Sequence, residues 1–448
     1  MSQSNASTQH TMPNKPALGQ DYPNITKSTE ILNKAKKIMH PVSQTLAKSP
    51  GQYSKGVAPV YLDHGKGSHV WDVDGNEYID YNMGIGPLSL GYCYEKVDNA
   101  IKAQLEKGIT FSLMSPLEYE AAELIKSIVP NTESVRISKT GCDATSMAVR
   151  LARAHTGRKK VVCCGYHGWH DWYISTTVRN AGIPEEVQAL TKTFSYNNID
   201  SLKAVLDSDV ACVILEPYVF EAPKDNFLQE LARLTKENGS LLVFDEMWSG
   251  FRIALGGAQE YFGVNADLAC FSKAVANGMP ISFLTGRKDV IERGETDVFI
   301  FTTFGGEALS LTATIATVNE LKEKNVPAYL AKMGAKLKEG YNALVAKHGM
   351  ETITNCGGFD CRGIINFLPG AGDGLVMKTL MQQEMIKRGI LWGGFHNMSF
   401  SHTDADIEYT LKAYDDVLPI IKKAVADGNA KDLLKGEVLE MVFRKTKY

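Results

Sequence analysis

No apolar run in this 448-residue sequence reaches the roughly 18–20 residues that a membrane-spanning helix needs. Charge of neither sign dominates. The net of −3 implies neither a polyanion nor a membrane surface as partner. The eight cysteines are scattered and form no CxxC pair, which excludes a zinc ribbon and a redox motif; free thiols in a cytoplasmic protein are expected. Internal repeats are absent. The only biased tract is the N-terminus, Met1 to about Pro23, rich in Ser, Asn, Gln and Pro. It lacks the apolar core of a signal peptide, and residues 1–24 are expected to be a flexible leader. Gly84, Gly86 and Gly91 fall short of a dinucleotide fingerprint because the third glycine is too far away. A glycine-rich turn is expected there, and a nicotinamide-binding or non-enzymatic α/β protein is kept only as a distant alternative.

What is present is enough apolar residue, 44%, for a large core divided among two or three domains. Ile25 to Met39 has helical periodicity, and His40 to Ser54 has none. Val60-Tyr61-Leu62, then Ser68 to Val73, the turn Asp74-Gly75 and Glu77 to Asp80 form a hairpin pattern. From Val97 short apolar runs alternate with amphipathic stretches: strands at Ser134–Ser138, Val161–Cys164, Ala211–Leu215 and Leu241–Phe244, helices at Glu118–Ile128, Ala144–His155, Ile199–Leu206 and Phe227–Glu237. This alternation predicts a doubly wound, mostly parallel sheet. After about Val326 come helices near Tyr329–His348, Met377–Arg388 and Ile407–Val425, with strands near Cys361–Leu368. The expected division is 25–95 as an N-terminal segment packing with the small domain and a dimer partner, 96–326 as the large domain, and 327–448 as a small α+β domain.

Two apolar runs end in chemistry. Leu241-Leu242-Val243-Phe244 stops at Asp245-Glu246, and Leu268-Ala269-Cys270-Phe271 leads to Ser272-Lys273. Ligands of open α/β sheets sit at the carboxyl ends of strands. An aspartate and a lysine delivered there fit pyridoxal 5'-phosphate (PLP), the aldehyde on Lys273 and the ring nitrogen on Asp245. A desolvated lysine loses basicity and becomes nucleophilic near neutral pH, and a buried carboxylate needs a cation such as a pyridinium. Thr140-Gly141-Cys142, between a strand and a helix, is a candidate phosphate site, and Thr302 to Gly306 is a second. Tyr166, past the strand ending at Cys164, is positioned to stack on a planar ring. His167 and His170 with Asp171 lack a third ligand motif, so no metal is expected.

In order, Thr140-Gly141-Cys142-Asp143-Ala144, Tyr166-His167-Gly168, Glu216-Pro217, Phe244-Asp245-Glu246, Ser272-Lys273 and Thr303-Phe304-Gly305-Gly306 resemble the class III, fold-type-I PLP aminotransferases. The glutamate-1-semialdehyde aminomutase-like subgroup is the nearest. The resemblance covers about Thr29 to Val425. It implies an α/β fold with a mainly parallel seven-stranded sheet flanked by helices. It also implies a Schiff base on Lys273, which then shuttles the proton, and Asp245 on the pyridine nitrogen. Tyr166 would stack on one ring face and Met247 press on the other, with His167 in the same cofactor-binding set. Gly141 and Cys142 would give backbone N–H groups to the phosphate and Thr140 a hydroxyl. Thr303 would reach the phosphate of a neighbouring subunit, so a homodimer is implied. Glu216 and Glu221 match acidic positions lining the family's pocket.

The departures concern substrate. The family's usual Ser-Gly-Thr-Glu-Ala is Thr140-Gly141-Cys142-Asp143-Ala144 here, so phosphate binding rests more on backbone. Gly394 to Thr403 carries no arginine of the kind that holds a carboxylate in ω-amino acid relatives. Lys48 stands where the aminomutases have a carboxylate-binding arginine, and Ile85 where they have a tryptophan. Lysine keeps the charge without the bidentate grip, which argues against glutamate semialdehyde. The expected activity is transfer of an amino group from an amino donor to a small aldehyde, keto acid or sugar-derived carbonyl. A 2,1-aminomutase or amino-acid epimerase on the same scaffold is the alternative. About Trp172 to Thr191 is expected to gate the site.

Overall fold

The structure is a computed structural model that describes residues 21–218 and 221–440; the leader expected over residues 1–24 lies almost wholly outside them. Three sheets organise the chain. The first is a meander of β1 (Leu62–Lys66), β2 (His69–Asp72) and β3 (Glu77–Asp80), its β2–β3 turn made at Asp74-Gly75, where Gly75 takes φ +92° at no steric cost. The second is the seven-stranded sheet of β4 (Ser134–Ser138), β5 (Lys160–Cys164), β6 (Thr191–Thr193), β7 (Val210–Leu215), β8 (Leu241–Asp245), β9 (Leu268–Phe271) and β10 (Ser282–Gly286). The third holds β11 (Thr354–Phe359), β12 (Arg362–Phe367) and β14 (Phe395–Asn397), while β13 (Ile390–Leu391) joins the first sheet, parallel to β3. Residues from before the large sheet thus pair with residues from near the carboxyl end.

The large sheet runs in the order β4-β10-β9-β8-β7-β5-β6. β6, β5, β7, β8 and β9 are parallel, and β10 is antiparallel to both β9 and β4. Its central strands are buried at every residue, because helices cover both faces. That is why they read as unbroken apolar runs. The longer helices are α1 (Thr26–Ala35), α2 (Glu95–Leu105), α3 (Pro116–Lys126), α4 (Gly141–Thr156), α5 (Phe227–Glu237), α6 (Ala308–Glu323), α7 (Val326–Lys347), α8 (Gly374–Lys387) and α9 (Asp404–Asp427). α3 begins two residues before its expected start, since Ser115 and Glu118 close a capping box ahead of Pro116, which satisfies the first orphan N–H groups. α1 ends at Ala35, four residues short of expectation, and β1 starts where its expected strand ended. No described helix is long and apolar enough to cross a membrane.

Candidate active site

β8 and β9 are adjacent and parallel, with Asp245 opposite Cys270, so the chain leaves both strands on the same side of the sheet. Asp245 is 2% exposed. Its Oδ1 accepts from the Met247 N–H at 3.1 Å and its Oδ2 from His167 Nδ1 at 2.8 Å; His167 Nε2 faces Cys164 O at 3.1 Å. A carboxylate has about four acceptor sites, which leaves Asp245 capacity for a further N–H donor. Glu246 points the other way, into the core, where Ser249 Oγ and the Ala258 and Gln259 N–H groups donate to it. Burial pushes its carboxyl up to about 7 against the pull of those donors.

Lys273 takes φ +46°, a left-handed conformation costing a non-glycine residue about 1 kcal/mol. It is held there by buried Ala274, Val275 and Ala276 and by Ser272 Oγ donating to Ile281 O at 2.6 Å. Its Nζ lies 4.3 Å from the centre of the Trp248 indole, and the Arg362 guanidinium stacks on the same ring at 3.8 Å. Gly86 closes against Trp248 so tightly that a Cβ would overlap the ring. Burial lowers the Lys273 amine to about 8; Asp245 and Glu216 oppose the shift, while Arg362 and Arg252 add to it. An amine near 8 is partly neutral at physiological pH, the form that attacks an aldehyde.

The turn between β4 and α4 forms the third wall. Thr140 caps α4, its Oγ1 accepting from the Asp143 N–H at 3.2 Å while Asp143 Oδ2 accepts from the Thr140 N–H at 2.7 Å. The N–H groups of Gly141 and Cys142 lie in the first turn, where a helix has no partners for them, and such a terminus suits an anion. A Cβ on Gly141 would come 2.9 Å from Met247 Sδ, and one on Gly168, at φ +104°, 2.5 Å from Cys142 Sγ. Tyr166 presents its ring at the cleft, 40% exposed and edge-on to Tyr173 at 5.6 Å. Its N–H donates to buried Glu216 at 2.8 Å. These residues fit PLP: a buried carboxylate, a depressed lysine, an anion-ready helix terminus, and glycines where a Cβ would fill the cradle. Bound there, PLP supplies the electron sink for a substrate carbanion.

The structure thus brings together Thr140, Gly141, Cys142, Tyr166, His167, Glu216, Asp245, Met247 and Lys273. Glu221 stays outside this group, half exposed and paired with Lys224 at 2.7 Å. Thr303 is exposed in a loop with Phe299, Phe301 and Phe304, which are 75%, 62% and 58% exposed. Lys48 lines a separate cavity of about 270 Å³ together with Tyr53, Asp80, Asn82, Ile85 and Leu391. Gly86, next to Ile85 in that lining, packs on Trp248, the ring that Lys273 Nζ faces. His170 is engaged apart from His167, its Nδ1 bonded to Ser146 Oγ at 2.7 Å. Trp248, Arg362 and Arg252 were not expected here. Trp248 and Arg252 lie just after Asp245 in a stretch with no periodic signal, and Arg362 arrives on β12 with nothing local to mark it. Arg252 donates to Gly86 O and to Met398 O, tying the glycine turn to the carboxyl-terminal segment.

A family model, aminotransferase class-III, matches residues 52–364. The 3-aminobutyryl-CoA aminotransferase of Cloacimonas acidaminovorans (strain Evry) is 33% identical, the match covering 89% of this chain and 98% of that protein. The glutamate-1-semialdehyde 2,1-aminomutase of Archaeoglobus fulgidus is 35% identical, covering 86% and 100% respectively. The solved structure of the Sphingopyxis sp. MTA144 FumI protein in its PLP internal aldimine form superposes with a TM-score of 0.82 at 28% identity, over 90% of this chain and 98% of that one. Transaminase and aminomutase structures at 20–24% identity share the fold. The chain belongs to the class III aminotransferases, fold-type-I enzymes whose cofactor is pyridoxal 5'-phosphate.

Proposed function

We propose that the protein moves an amino group between a small amino donor and a small carbonyl acceptor in two half-reactions. Asp245 and Thr140–Cys142 would hold PLP, with Tyr166 and Met247 on its two faces and His167 holding Asp245 in place. Lys273 would carry the cofactor and then move the proton at the substrate carbon. The observation that carries this reading is the buried Lys273 amine, depressed to about 8 and delivered just past β9, beside the parallel strand β8 that ends in Asp245; the Lys48–Ile85 cavity is taken as the substrate subsite. At about 270 Å³ the cavity is below the roughly 300–1,000 Å³ of drug-sized ligand sites, which supports a small substrate. Lys48 at its edge favours an acidic one.

Thr303 on an exposed, Phe-rich loop supports a homodimer in which this residue reaches the partner's phosphate; contiguous exposed apolar surface of this kind marks an association face. Eight free thiols support a cytoplasmic setting. The pairing of β13 with β3 supports reading 25–95 as a segment that packs on the small domain, 327–448. Glu216 belongs in this reading as the anchor of Tyr166; a substrate role for Glu221 requires that it face a partner's site.

The aminomutase reading is favoured by the names of several relatives at 31–35% identity. Absorbance of the bound cofactor separates the two. L-Glutamate, L-alanine, 3-aminobutyrate and glutamate 1-semialdehyde are added one at a time, followed by a keto acid. Bleaching by a donor and recovery with the keto acid is the transferase outcome. Turnover of glutamate 1-semialdehyde alone, without net donor or acceptor, overturns it in favour of the mutase.

A further inference from the structure

The wall of the cavity that carries Lys48 has little structure of its own. Residues 46–56 form two single 3-10 turns, Leu46–Lys48 and Pro50–Gln52, and depend on neighbours for position. One neighbour is α8: Gln382 Oε1 accepts from the Ser54 N–H at 2.7 Å, and Gln382 Nε2 donates to Gln52 O at 3.3 Å. The other is the carboxyl-terminal tail. The Glu440 N–H donates to Gly51 O at 2.8 Å, and Gln52 Nε2 donates back to Glu440 O at 3.1 Å. Lys55 Nζ reaches Glu437 at 2.5 Å and Glu440 at 3.4 Å. Both contact points are glycines: a Cβ on Gly51 would enter the Glu440 carboxyl, and one on Gly436 would enter Lys55 O. The tail is itself fixed to α8, the Lys435 N–H donating to Gln383 Oε1 at 2.7 Å and the Leu439 N–H to Thr379 Oγ1 at 3.1 Å.

We propose that the tail, Lys435 to Glu440, is a strap that positions the Lys48–Tyr53 wall and thereby sets affinity for the substrate, leaving the cofactor chemistry at Lys273 untouched. The geometry separates the two functions. The strap touches residues 51–56 and α8, whereas Asp245, Lys273 and the α4 terminus are held by the large sheet. The exposed ion pairs to Lys55 add little; the backbone-paired contacts at Gly51 and Gln52 are the positioning ones. This inference rests on the reading of the Lys48–Ile85 cavity as the substrate subsite.

The test uses the PLP-loaded full chain, a chain lacking residues 436–448, and the full-length variants Gly51→Ala, which crowds the strap without shortening it, and Lys48→Ala. The donor from the panel above that bleaches the cofactor is titrated in the first half-reaction. Losing two ordinary hydrogen bonds from a positioned wall corresponds to about tenfold weaker binding or more. The expected result is that rise in donor dissociation constant for both the truncation and Gly51→Ala. Cofactor absorbance and the rate at saturating donor should stay unchanged, and hydrogen exchange should become faster at residues 46–56 alone. Unchanged donor affinity in both variants, with Lys48→Ala weakened, overturns the strap and keeps the subsite. Unchanged affinity in all three overturns both. A joint fall of affinity, cofactor binding and saturated rate makes the tail merely structural and also overturns the proposal.

Discussion

A catalytic lysine kept short of its ordinary basicity should cost the cofactor-free protein stability. The fall of the Lys273 amine from 10.5 to about 8 corresponds to about 3 kcal/mol against the ammonium, at about 1.4 kcal/mol per tenfold change in acidity. Lys273→Met removes the charge and keeps most of the volume. It also removes the ammonium–indole contact with Trp248, worth about 1 kcal/mol, so the apoenzyme should gain about 2 kcal/mol at pH 7. The sign with pH follows from the direction of the shift. A lowered amine makes the unfolded chain bind more protons than the folded one between about 8 and 10.5, so wild-type stability rises across that window. The advantage of the variant should therefore shrink by pH 10. For a chain of this length the gain at pH 7 is a rise of about 2 °C in melting temperature, read by thermal unfolding of both apoproteins at pH 7 and pH 10. A variant less stable than wild type at pH 7, or a difference that does not change with pH, refutes the reasoning.

Three other outcomes are expected. Glu246→Ala strands Ser249 Oγ and the Ala258 and Gln259 N–H groups in the core and should destabilise by about 3–5 kcal/mol, measured by denaturant unfolding; a loss under 1 kcal/mol contradicts the assigned bonds. Asp245→Ala should lower the single-turnover rate by about 10²-fold or more while the chain stays folded by circular dichroism; a near-normal rate would remove Asp245 from the mechanism. His69, which burial pulls down, is nonetheless raised because Asp406 and Glu77 flank it at 3.1 and 2.7 Å. Its contribution is complete below about pH 6.5 and is lost as pH rises through the folded value. His69→Gln should therefore destabilise at pH 6 far more than at pH 9, and equal losses at both would rule out the ion-pair account.

The elements that positioned Lys273 and Asp245 were legible because burial on both faces writes itself as an apolar run, and a run that ends in an acid or a lysine marks a strand end. α5, Phe227–Glu237, was legible to the residue. β10 was missed: Ser282-Phe283-Leu284-Thr285-Gly286 is followed only by two four-residue helices, Lys288–Ile291 and Arg293–Thr296, too short to show a helical period, and it enters the sheet antiparallel. β11 was missed because Thr354 to Phe359 contains two glycines and alternates poorly; the hairpin it makes with β12 supplies its order. The triad of Lys273, Trp248 and Arg362 was illegible for another reason. Its members come from the turn after β9, the turn after β8, and β12, and no local pattern records that three distant segments share one ring. The strap at Gly51 and Glu440 is hidden in the same way, by a separation of nearly the whole chain.

The account stands on Lys273 as the residue that carries the cofactor. Borohydride reduction of the PLP-loaded protein, followed by proteolysis and mass spectrometry, tests it directly. The account predicts the reduced pyridoxyl mass on the peptide containing Lys273 and its disappearance in Lys273→Ala. The same mass on Lys48, Lys139 or Lys378, or on no lysine at all, would contradict it.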